Sequence, residues 1–207
     1  MKNIRYYLSF IIILSISVGY SQNKKKEERS QWKFTTGIGS VTIEAENLFK
    51  INASIYEGLI GREFFIGKGM SLITGVEIIR ARGNFNDGLG KQQFLTNEYI
   101  TVPFSFQFSG NKENGMFLFF SAGVYGSYLY KYKQEDVLNT SVVTKKGLGF
   151  NGGIQSKLGI QFEINKKSNF SVSFKSKTDL LNKYKKYSQE FKMKNYYALQ
   201  LGFGFSF

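Results

Sequence analysis

The stretch Tyr196-Tyr197-Ala198-Leu199-Gln200-Leu201-Gly202-Phe203-Gly204-Phe205-Ser206-Phe207 ends the chain, and its alternation decides the fold. Tyr197, Leu199, Leu201, Phe203, Phe205 and Phe207 share one face of an extended chain, and the residues between them share the other. A period of two marks a strand whose two sides meet different surroundings. Here one side is bulky and apolar, the other mostly small or polar.

The same pattern recurs upstream. Ile100, Val102, Phe104, Phe106 and Phe108 oppose Tyr99, Thr101, Pro103, Ser105 and Gln107. Met116, Leu118, Phe120 and Val124 oppose Phe117, Phe119, Ser121 and Tyr125. In the next segment Ile154, Leu158, Ile160 and Phe162 oppose Gly153, Gln155, Lys157, Gln161 and Glu163. Phe170, Val172 and Phe174 then oppose Ser171, Ser173 and Lys175. Three earlier segments, near 32–43, 53–66 and 70–82, alternate less cleanly and leave their facing open. Together these segments predict an all-β fold, an eight-stranded antiparallel up-and-down barrel.

Volume decides which face is inside. An eight-stranded barrel has an interior just wide enough to be filled by side chains, so the small, polar face points inward. The bulky face then points outward, which is tolerable only in lipid. This predicts a transmembrane barrel of a bacterial outer membrane. The alternative, a soluble lipocalin-like ligand-binding barrel, requires the reverse arrangement.

The connections agree. They run about 44–52, 67–69, 83–94, 109–115, 132–146, 165–168 and 179–194, with the odd-numbered ones the longer. Outer-membrane barrels have short periplasmic turns and longer extracellular loops.

Composition removes several chemistries. With neither Cys nor His, the chain has no thiol nucleophile, thiolate metal site or imidazole base. No cofactor or metal is expected, and the chain reads as non-enzymatic; a carboxylate-based outer-membrane enzyme acting on lipid or protein is the alternative. The net charge of +13 is spread through the connections rather than gathered in one stripe, so nucleic acid is not an expected partner. Gly147 to Gly152 spells G-x-G-x-x-G, but it lies within a strand-like alternation and lacks the helix that a nucleotide site needs.

Residues 1–21 read as a cleaved signal peptide. Lys2 and Arg5 precede the apolar run Leu8 to Val18, and small Gly19 and Ser21 stand before a cleavage point at Gln22. Residues 22–31 form a charged periplasmic leader, and 32–207 the barrel.

Three groups of candidate residues follow. Glu57, Glu77, Lys157, Glu163 and Lys175 carry charge on faces read as inward. Buried charges require partners, so a lumen network is expected. Lys183, Lys185, Lys186, Lys192 and Lys194 lie among Tyr184, Tyr187 and Phe191; at a cell surface they suit the phosphates of lipopolysaccharide. Tyr128 and Tyr130 suit an interfacial aromatic girdle.

Asn97-Glu98-Tyr99-Ile100-Thr101-Val102-Pro103-Phe104 resembles the fourth strand of the PorT-like outer-membrane β-barrel family of Bacteroidota. Ser71 to Glu77 resembles that family's third strand and Phe119 to Val124 its fifth, and a signal peptide ending Tyr20-Ser21-Gln22 is typical of the phylum. The resemblance implies an outer-membrane location and an eight-stranded barrel. It also implies a link to gliding or protein secretion in some members, with no catalytic motif to carry over. Resemblance to outer-membrane barrels in general implies that Phe207 is read by the barrel assembly machinery. The expected partners are therefore outer-membrane lipid and lipopolysaccharide, the assembly machinery and an unspecified protein.

Overall fold

The computed structural model describes residues 30–45, 49–67, 69–86, 92–110, 114–136, 142–182 and 191–206. The signal peptide, most of the leader, Lys183, Lys185, Lys186 and Phe207 lie outside the described residues. Eight strands make one closed antiparallel barrel in sequence order. They are β1 (Ser30–Ala45), β2 (Phe49–Gly67), β3 (Met70–Asn86), β4 (Gln92–Ser109), β5 (Met116–Asp136), β6 (Val142–Asn165), β7 (Ser168–Asn182) and β8 (Phe191–Phe205). β1 pairs with β8 to close the wall. It begins two residues before the boundary drawn from sequence, and Gln31 is already buried in the lumen.

The facing read for β4, β5 and β8 is the one observed. Phe104, Phe106, Leu118, Val124, Leu199 and Leu201 are exposed, whereas Thr101, Gln107, Ser121, Tyr196 and Gln200 are buried. Pro103, the sole proline, points inward where the β3–β4 ladder has no pairs between Thr74↔Phe104 and Glu77↔Thr101. A residue without an N–H is tolerated at such a break. Gly147 to Gly152 lies within β6, as its alternation suggested.

The strands are longer than the sequence reading allowed, from 15 to 24 residues, where about ten suffice to cross a bilayer. The long connections shrink to 46–48, 87–91, 137–141 and 183–190. The missing length has been taken up by ladder, and its polarity is reversed. In β3, Val76 and Ile78 point out and Glu77 points in; farther along, Arg80 and Arg82 point out while Ile79 and Ala81 are buried. Val41, Ile43, Ile51, Leu95, Tyr132, Phe191 and Met193 join these two in a buried apolar cluster. The barrel is therefore apolar-out and polar-in toward the connections 68–69, 110–115 and 166–167. Toward the opposite end β1 to β5 and β8 turn apolar-in with charged or polar residues outward, whereas Val142 and Val143 of β6 and Leu180 and Leu181 of β7 stay exposed. Two of the three connections at the first end, 68–69 and 166–167, are the shortest in the barrel, and 183–190 at the other end is the longest. Since bacterial barrels keep short turns in the periplasm, we assign the opposite end to the outside of the cell.

One seam departs from the regular ladder. β7 and β8 pair only as far as Lys177↔Tyr196, although β7 continues to Asn182 and β8 begins at Phe191. Register shifts flank the gap on both sides. β7 shifts against β6 at Leu180, and β8 shifts against β1 near Asn195, whose φ is 50°. Such bulges bend a strand away from its neighbour. Side chains replace the lost ladder bonds. The Met193 N–H donates to Asp179 Oδ2 at 2.7 Å, and Asn151 Nδ2 donates to the Phe191 carbonyl at 2.8 Å. Unsatisfied backbone groups near lipid cost several kcal/mol each, so Asp179 acts as the clasp of the seam. Asp179→Ala should raise amide hydrogen exchange at Met193 at least tenfold, while the amide of Phe203 at the other end of β8 stays protected. Unchanged exchange at Met193 would show that the clasp holds nothing.

Candidate functional site

The inward-pointing polar residues form a column through the barrel. At the periplasmic mouth Glu63 is the hub. Its carboxylate accepts from Gln31 Nε2 at 2.7 Å, Lys33 Nζ at 3.1 Å, Ser71 Oγ at 2.5 Å and Gln107 Nε2 at 3.0 Å. Asn169 Nδ2 donates to Gln31 Oε1 at 2.6 Å, tying β7 to the same cluster.

Above it stands the charge network. Lys175 Nζ lies 3.0 Å from Glu57 Oε2 and also donates to Glu77. Lys177 donates to the other oxygen of Glu77, and its ammonium lies 4.7 Å from the Tyr125 ring centroid. Tyr196 and Gln200 complete the shell of Glu57. Next comes Asp179, which accepts from Tyr125 OH at 2.5 Å and Asn151 Nδ2 at 2.8 Å. The apolar cluster closes the extracellular end.

The structure thus brings together Glu57, Glu77 and Lys175 from the set named by sequence. Glu163 has inward phase on β6 but is exposed at the periplasmic mouth, because the strand ends two residues later and the lumen there opens to water. Lys157 is inside, opposite Lys175 in the β6–β7 register. Among the described residues it has no ion-pair partner, because Lys175 and Lys177 occupy both oxygens of Glu77. It lines a cavity of about 20 Å³ with Gln155, Glu77 and Ser121, large enough for about one water molecule. Of the basic group near the last connection, Lys192 and Lys194 are described. Lys194 Nζ lies 2.7 Å and Lys50 Nζ 3.2 Å from the two oxygens of Glu44. The hydrogen bonds from Lys194 and Lys50 hold that carboxyl below the usual carboxylate range. Tyr128 points outward, as a girdle residue does, and Tyr130 donates to Glu98 at 2.8 Å.

Sequence reasoning did not single out Lys33, Glu63, Lys177 or Asp179. The first two lie on strands whose facing the sequence leaves open, although Glu63 shares the phase of Glu57 on β2. The last two continue the inward series Ser171, Ser173, Lys175 at the same spacing. Lys177 lies inside the segment read as strand and its alternation was there to be read, whereas Asp179 falls in the stretch 179–194 read as connection.

Four cations (Lys33, Lys157, Lys175 and Lys177) and four carboxylates (Glu57, Glu63, Glu77 and Asp179) are stacked within the lumen. Removing one partner of a buried pair leaves an uncompensated charge and costs about 3–5 kcal/mol. Glu77→Gln and Lys175→Met should each lower stability to urea in detergent by roughly that amount. Lys157→Met, which breaks no ion pair, should cost less than about 1 kcal/mol. Equal losses for all three variants would contradict the pairing described here.

The solved structures that resemble this chain include outer-membrane barrels. Neisserial surface protein A aligns with a TM-score of 0.55 at 7% identity, over 85% of this chain and 97% of that one. Ail, the attachment invasion locus protein of Yersinia pestis, aligns at 0.43 and 12% identity over 86% and 99%. The outer membrane protease OmpT of Escherichia coli aligns at 0.44 and 7% identity over 89% and 99%. At such identities the likeness concerns the fold alone. Among curated protein sequences nothing matches the chain. Residues 20–207 match the family described as "Outer membrane protein beta-barrel domain". With an apolar belt around a paired polar lumen, and with that match over nearly its whole length, the chain belongs to the outer membrane protein beta-barrel domain family and is a protein of the outer membrane.

Proposed function

We propose that the protein is a non-enzymatic, non-conducting barrel that presents its extracellular end to a partner or surface ligand. The observation that carries this reading is the closed lumen. Paired charges fill its membrane-level part, and the apolar cluster from Val41 to Ala198 fills its extracellular part. The cavity beside Lys157, Glu77 and Ser121 inside the lumen is about 20 Å³, far below the hundreds of cubic ångströms of a small-molecule pocket. That argues against both a pore and a lipocalin-like carrier.

An enzyme reading has less support. Glu57, Glu63, Glu77 and Asp179 each accept two or more hydrogen bonds, which leaves none of these four lumen carboxylates poised toward a substrate. Among the described residues no group of three or more His, Cys, Asp or Glu could hold a metal.

What remains for function is the extracellular surface, on a rigid frame of the kind that supports binding. Arg80, Arg82, Lys131, Lys133, Lys50 and Lys194 stand on its outer side. Residues 183–190 extend this basic surface in sequence, and anionic lipopolysaccharide is the ligand that suits it. The resemblance of β3, β4 and β5 to PorT-like proteins supports a place beside a secretion or gliding apparatus. Cleavage after Ser21 and recognition of Phe207 by the assembly machinery belong to the same proposal.

The purified full chain should give no stable large conductance in planar bilayers. Deletion of residues 183–190 alone, which spares Asp179 and Met193, should reduce the proteins or lipopolysaccharide that co-purify from outer membranes. Porin-like steps, or an unchanged set of co-purified molecules, would contradict the proposal.

A further inference from the structure

The lipid-facing wall has a dent. Thr36 on β1 and Gly58 on β2 are cross-strand partners, and both point outward. A Cβ added at Gly58 would meet nothing within 4 Å. Around this pair Phe34, Ile60, Val76, Ile78, Leu201 and Phe203 stand taller, and with Phe170 at its far edge they border a groove of about 540 Å³ spanning β7 to β3. The groove lies at membrane level, and an unfilled apolar groove forfeits dispersion contacts along its whole lining.

A basic ledge stands directly above it. The pair Gly58↔Ile78 lies in the groove, and the next outward pair on the same two strands is Tyr56↔Arg80. Two residues of strand rise about 7 Å, so the Arg80 guanidinium sits just above the top of the groove. Ile78 is the last outward apolar residue of β3 before the charged positions, which places Arg80 where acyl chains give way to headgroups.

The ledge carries more positive than negative charge. Arg80, Arg82, Lys131 and Lys133 share the two carboxylates of Glu98 and Glu135. Those carboxylates are held more closely by other groups. Glu98 takes Tyr130 OH at 2.8 Å and Lys131 at 3.5 Å, and Glu135 takes Lys133 at 2.5 Å. The arginines stand farther off, Arg80 at 3.9 Å and Arg82 at 3.8 Å, and are 58% and 52% exposed. Their planar forks keep N–H groups free for a second anion, and phosphate is the anion that a guanidinium binds bidentately.

We propose that this groove and ledge form a binding site for an anionic phosphate-bearing lipid of the outer leaflet, its acyl chain lying across Gly58 and its phosphate held by Arg80 and Arg82. The site shares Arg80 and Arg82 with the basic surface proposed above and rests on that reading for its ledge, while the groove at Gly58 is independent of residues 183–190.

The test uses the full-length protein in nanodiscs of equal parts phosphatidylglycerol and phosphatidylcholine. After release into detergent, native mass spectrometry counts the lipids retained. The wild type should retain phosphatidylglycerol in preference. R80Q/R82Q should lower that preference roughly tenfold, the scale of losing charge-assisted hydrogen bonds. Gly58→Leu fills the groove and should lower retention of both lipids, with Thr36→Leu serving if the first variant does not fold, as judged by heat-modifiable migration. Lys166→Gln, at a periplasmic turn, should change nothing. Equal retention by wild type and all variants, or an equal loss with Lys166→Gln, would overturn the site.

Discussion

A strand in this barrel has one side in a lumen too narrow for free choice of side chain and the other in a medium that changes along its length. That constraint organises the rest of the molecule. At membrane level the outer side must be apolar, and the lumen receives the polar residues; burying those groups is tolerable only because they bond to one another. Glu77 is the point where this matters most, its two oxygens taken by Lys175 and Lys177 from the opposite side of the barrel. Beyond the membrane the outer side meets water, and the apolar residues move in. Ile79 and Ala81 follow Glu77 on the same inward face, and Arg80 and Arg82 follow Ile78 on the outward one.

The two halves do different work. The lower half fits lipid and fixes the wall by crossing charges between β2, β3 and β7. The upper half has a core like that of a water-soluble barrel, and this core supports a charged outer surface clear of the lipid. The β7–β8 seam, where the ladder stops and Asp179 takes over, lies between the two regimes. A barrel closed in this way suits a protein that acts with its surface rather than its interior.

Much of this was legible in the sequence, and the limits have physical causes. β4, β5 and β8 were readable because most of their length lies in one medium. β1, β2 and β3 were not, since their apolar phase reverses partway: Ile38 faces out and Ile43 in, Ile55 faces in and Ile60 out, Ile78 faces out and Ile79 in. Strand ends read as loop for the same reason, since charged residues at outward positions such as Lys133 and Lys194 resemble solvated connection. Of the charge network, Lys175 followed from a clear facing, while Glu57 and Glu77 were named on strands whose facing the sequence leaves open. The choice of partners was beyond reach, because pairing across a lumen depends on the register of strands far apart in sequence.

The reversal of polarity along one strand is the claim to test most directly. The chain has no native cysteine, so a spin label can be placed singly at positions 76, 78, 80 and 82 of β3 in a reconstituted bilayer. Labels replacing Val76 and Ile78 should collide with dissolved oxygen and be shielded from an aqueous nickel complex. Those replacing Arg80 and Arg82 should show the opposite. If all four labels gave the same lipid-facing signature, the extracellular half would lie within the membrane and the account would fail.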